Sequence, residues 1–95
     1  MKQLFRNSTH TSNESHDCLI AEIKGKKVKI TYESYNAVER CNTEFFDGNR
    51  WNHILSMLDM GEQPDSSSFI LSESERRTRA DGLLKKAVTM CNDII

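Results

Sequence analysis

No stretch of this chain approaches the roughly 18 consecutive apolar residues of a membrane-spanning helix, and its first residues hold no apolar core of the kind a secretory leader needs. Neither membrane insertion nor export is expected. Cysteine is scarce: Cys18, Cys41 and Cys91 are odd in number, far apart and without a C-x-x-C pair, which argues against a disulfide framework and a zinc ribbon. Free thiols in a reducing, cytoplasmic setting are expected. The four glycines are dispersed and build no phosphate loop, and neither G-x-S-x-G nor H-E-x-x-H occurs. A dominant charge sign is also lacking, since 13 Lys and Arg face 14 Asp and Glu for a formal charge of −1. There is no bulk attraction to nucleic acid or to acidic membranes.

What is present suffices to fold. Of 95 residues, 37% are apolar and 28% charged, enough for one core. A chain this short buries only roughly two-thirds of its unfolded surface, so its stability is expected to be modest and a second copy or a partner would add to it. The charges are patterned. Lys24, Lys26, Lys27 and Lys29 form one basic group and Arg76, Arg77, Arg79, Lys85 and Lys86 another, with acidic stretches at 33–47 and 59–75.

Residues 1–17 are expected to be a mobile N-terminal arm, because 6–17 hold no apolar residue to anchor them, and 18–95 a single α+β domain. Cys18–Lys24 and Lys27–Tyr35 predict a hairpin around a two-residue Gly25-Lys26 loop of type II′, with Ile23 opposite Val28, Ala21 opposite Ile30 and Leu19 opposite Tyr32. Glu22 would meet Lys29 on the other side, and Ile20 would meet Thr31. A third strand is expected over Ala37–Phe46. Trp51–Met60 fits either a helical stripe or a strand face, and the Asp47-Gly48 turn favours a strand with Phe45 opposite Trp51 and Cys41 opposite Leu55. Asp65-Ser66-Ser67-Ser68 reads as a loop. Ser72-Glu73-Ser74-Glu75 is a capping box opening a long helix, whose stripe is Ala80, Leu83, Leu84, Ala87, Cys91 and Ile94. The expected fold is α+β: an antiparallel meander sheet of about four strands with one C-terminal helix on one face.

Chemistry is thin. His10, His16 and Cys18, with His53 or Cys41, match no metal-ligand spacing, and Cys41 and Cys91 read as core thiols. A nucleophilic set from Cys41, His53 and a carboxylate requires free choice among residues. Asp59 and Glu62 lie in a loop without apolar surroundings to raise a pKa. No catalytic residue, metal or cofactor is assigned. One of the adjacent Phe45-Phe46 pair must point away from a one-sided core, which marks Phe46, with Trp51, as a contact candidate. Arg76, Arg77 and Arg79 sit in early helix turns, where positive charge opposes the dipole and a pairing use is expected.

The reading is therefore a small non-enzymatic protein-binding or regulatory module, an accessory factor or inhibitor that acts by surface contact and is compatible with a homodimer. Its partner-binding residues would be Phe46, Trp51, Arg76, Arg77 and Arg79. The alternative is an RNA or single-stranded DNA binder using Lys24, Lys26, Lys27, Lys29 and Tyr35. A small enzyme or metal protein stands third.

Overall fold

The computed structural model describes residues 1–36, 38–64 and 71–95. Five strands, β1 (Lys2–His10), β2 (Ser15–Ile23), β3 (Lys26–Tyr35), β4 (Val38–Phe46) and β5 (Trp51–Leu55), precede one helix, α1 (Glu73–Ile94). Each strand pairs antiparallel with its sequence neighbour, giving a meander in the order β1-β2-β3-β4-β5 with α1 packed on one face. The α+β class holds, with five strands in place of about four. Ala37 and the Asp65-Ser66-Ser67-Ser68 segment lie outside the described residues.

The additional strand comes from the expected arm. Residues 2–10 pair with β2 in a register that runs from Lys2 opposite Glu22 to His10 opposite Ser15, interrupted by a bulge between Gln3 and Phe5. Polar residues hold this end of the sheet together in place of apolar packing: Arg6 donates to Asp17 at 2.9 Å, and His10 lies 2.9 Å from the Ser15 hydroxyl.

The β2–β3 hairpin turns on Lys24-Gly25, so that Ile23 pairs with Lys26, Ala21 with Val28 and Leu19 with Ile30. Both turn residues have positive φ, 50° and 80°, the type I′ geometry whose twist matches the flanking strands. Compared with the expected Gly25-Lys26 turn, the strands slide by two residues, which changes partners and leaves every side chain on its own face. Leu19, Ala21, Ile23, Val28, Ile30 and Tyr32 are accordingly all buried.

β5 is a strand as expected over Trp51–Leu55, but 57–61 form a turn in place of its second half, and its register differs. Phe46 pairs with Trp51, and a bulge between Thr43 and Glu44 then brings Leu55 opposite Thr43. The Asp47 carboxylate fixes the turn by accepting the amides of Asn49 and Arg50 at 2.8 and 3.0 Å, and the loop holds four residues, 47–50. Trp51 is thereby placed on the side away from α1.

Helix α1 starts with the capping box. The Ser72 hydroxyl accepts from the Glu75 amide at 3.2 Å, and the Glu75 carboxylate accepts from the Ser72 amide at 3.1 Å. Ala80, Leu83, Leu84, Ala87 and Cys91 are buried against the sheet, whereas Ile94 is exposed in the last turn and Ile95 packs on the core in its place. Gly82 points to open space, with nothing within 4 Å of a built Cβ. Gly82→Ala is therefore expected to stabilise the fold by about 1 kcal/mol in urea unfolding, and a loss would show that the glycine serves packing.

Candidate functional site

The face of the sheet opposite α1 carries the residues with most to offer a partner. β3 presents Lys27 and Lys29 there, β4 presents Glu44 and Phe46, and β5 presents Trp51. Phe46 and Trp51 touch, with ring centroids 5.3 Å apart at 45°, and both remain half-buried. The Lys29 ammonium lies 4.4 Å from the Trp51 ring centre and the Lys27 ammonium 5.5 Å from that of Phe46. Lys29 also lies 3.9 Å from the Glu44 carboxylate. Each lysine ammonium thus sits over a ring, a cation–π arrangement.

The basic and aromatic residues proposed for nucleic acid are not gathered in one place. Lys24 sits in the turn, and Lys26 reaches over Phe45, which packs on the helix-side core. Tyr35 does share the open face with Lys27 and Lys29. It lies about 20 Å along β3 from Lys29 at the usual strand rise, stacked against His16 at 6.4 Å.

Two of the three arginines assigned to a partner are turned into the fold. Arg76 is 0% exposed, and its Nη1 donates to Ser34 at 3.0 Å. Arg79 holds both oxygens of the buried Glu39, which also accepts from the Tyr32 hydroxyl. Arg77 pairs with Glu73 at 3.4 Å across one helical turn. Glu39 and Asp17 were not singled out from the sequence, and His10 was weighed only as a metal ligand, yet the three anchor the polar end of the interior.

Burial, hydrogen bonding to Glu39 and the charge of Glu39 raise the Tyr32 pKa well above its ordinary value. Burial, with the Glu39 charge second, pushes Cys41 from 9.0 up to about 12. Both groups are neutral in the fold and ionise more readily when unfolded. Their contribution is full below the unfolded pKa and is lost as pH rises toward the folded one. Unfolding free energy should fall by roughly 1.4 kcal/mol per pH unit for each group, from pH 9.0 for Cys41 and from pH 10.0 for Tyr32. Cys41→Ala should flatten that slope, and an unchanged slope would mean that the thiol ionises freely in the native state.

His10 stands between Ser15, 2.9 Å from Nδ1, and Asp17, 3.0 Å from Nε2, an order reminiscent of a nucleophilic triad. All three are buried beneath the helix side, where the set braces β1 against β2. Cys41 is buried on that same side, whereas His53 is exposed and pairs with Asp59 at 3.7 Å, so these two do not meet. His16 and Cys18 face away from His10. Among the described residues no group of three or more His, Cys, Asp or Glu is disposed to hold a metal, and no helix is long and apolar enough to cross a membrane. Comparison with protein-family models, curated proteins and solved structures finds no match to this chain.

Proposed function

We propose that this chain is a non-enzymatic, cytoplasmic protein-binding module, an accessory factor or inhibitor, whose contact surface is the sheet face opposite α1. One observation carries the reading: Phe46 and Trp51 touch on that face and remain half-buried, with no helix over them among the described residues. Paired aromatics within a surface of mixed charge have the composition of an interface centre and its rim. A second copy of the chain is among the partners such a face can take. The separation of Cys41 from His53 and the burial of Ser15 favour contact over catalysis.

Lys27 and Lys29 beside two rings on an open sheet favour single-stranded nucleic acid as a second reading. Against it, the lysines lie over the rings on which bases would stack, and Glu22 and Glu44 are their cross-strand neighbours. Affinity capture with the parent chain and with Phe46→Ala/Trp51→Ala, from lysates with and without nuclease, separates the two. Protein recovered despite nuclease and lost in the double variant is expected, since such anchors are worth roughly 2 kcal/mol each. The variant should keep its fold by circular dichroism. Recovery only in untreated lysate would overturn the protein-contact reading.

A further inference from the structure

We infer that the partner brings an acidic segment to the turn end of the open face, where its carboxylates meet Lys24, Lys27 and Arg50 while an apolar residue seats on Phe46 and Trp51. This rests on the protein-contact reading. It deepens that reading by naming the chemistry of the occupant.

Carboxylates are present at this end, but the cations Lys2, Lys24, Lys27, Lys29 and Arg50 outnumber Glu22, Glu44 and Asp47. Glu22 lies between Lys2 and Lys27 in the strand register, and Glu44 is 3.9 Å from Lys29. Asp47 accepts the amides of Asn49 and Arg50 and the side chain of Asn52, hydrogen bonds that hold its pKa below the ordinary value. Lys24, Lys27 and Arg50 are exposed, and among the described residues none has a carboxylate within ion-pair distance. The opposite end of the face lacks this surplus, since Glu33 lies between His16 and Arg40. Cation surplus and aromatic contact therefore coincide at one end.

A polyanion of phosphates fits less well than a carboxylate-bearing peptide. Bases would have to displace Lys27 and Lys29 from the rings, and a phosphate backbone would run against Glu22 and Glu44. Isolated carboxylates can instead settle between the cations and leave the lysine stems where they are. Complementarity of this kind sets partner choice and salt dependence.

Short synthetic peptides without tryptophan test the idea, because Trp51 is the chain's one tryptophan and its fluorescence reports this end of the face alone. The set is a Leu-Phe centre flanked by Asp and Glu, the same centre flanked by Asn and Gln, the same flanked by Lys, and a thymidine homo-oligonucleotide. The acidic peptide is expected to bind on the order of tenfold more tightly than the amide version at low salt, with the preference fading as salt rises. Lys27→Glu/Arg50→Glu should transfer the preference to the Lys-flanked peptide, a reversal that loss of fold would not produce.

Equal binding of acidic and amide peptides at Trp51 would overturn the acidic-segment inference and leave the protein-contact reading standing. So would the absence of any peptide response at about 1 mM, a concentration that reveals even weak contacts, if the aromatic double variant still loses captured protein. Tighter, lysine-dependent binding of the oligonucleotide would overturn both.

Discussion

Ile30→Asp is expected to leave the chain unfolded near neutral pH, while Lys29→Asp, one residue away, keeps its fold. Ile30 is 0% exposed in the middle strand, paired with Leu19 on one side and Thr43 on the other. A carboxylate placed there loses its water and gains no cation, a penalty of several kcal/mol that rivals the whole stability of a domain this small. Position 29 points to the opposite face, beside Ile20 and Glu44. Aspartate at that site gives up the contact with Trp51 and adds a like charge next to Glu44, a cost of about 1 kcal/mol. Circular dichroism and urea titration separate the two outcomes, and variants that melt alike would mean that the faces of β3 are assigned wrongly.

The alternation that makes this contrast possible is plain in the sequence for β2 and β3, because Leu19, Ala21, Ile23, Val28, Ile30 and Tyr32 repeat with the strand period. What alternation cannot reveal is a slide by an even number of residues, since every side chain then stays on its face. The choice between turning on Gly25-Lys26 and on Lys24-Gly25 rests on local φ preferences, and Lys24 adopts positive φ despite being no glycine. Helix α1 was legible from its capping box and stripe because both are local signals. Ile94 escaped the stripe because where the helix leaves the core depends on tertiary packing.

Residues 2–17 were harder to read for a different reason. Hydrophobic periodicity marks a strand only when its inward side chains are apolar, and here His10, Ser15 and Asp17 point inward, with His10 against both the Ser15 hydroxyl and the Asp17 carboxylate. A signal did exist: the period of Leu19, Ala21 and Ile23 continued backward reaches Asp17 and Ser15. At the candidate face, Phe46 could be placed because adjacent aromatics on a strand must face opposite ways. Trp51 could not, since the four-residue turn sets which way it points.

Arg79→Met should destabilise the fold by about 3 kcal/mol or more, because it leaves a buried charge without its guanidinium. The Glu39 side chain is fully buried, with 0% exposed, while that of Arg79 keeps 26%. This asymmetry makes the two partners unequal. Removing the charge with Glu39→Gln preserves an acceptor for the Tyr32 hydroxyl, and the released guanidinium can turn to water, so that variant should lose less than Arg79→Met. Combining Glu39→Gln with Arg79→Met should restore part of what the arginine change alone removes, since the buried carboxylate is then gone. Urea unfolding of the parent, the two single variants and the double variant completes the cycle and isolates the coupling between the two side chains. Single losses below about 1 kcal/mol, with no coupling, would place this pair among solvated surface contacts and remove Glu39 as an anchor of the interior.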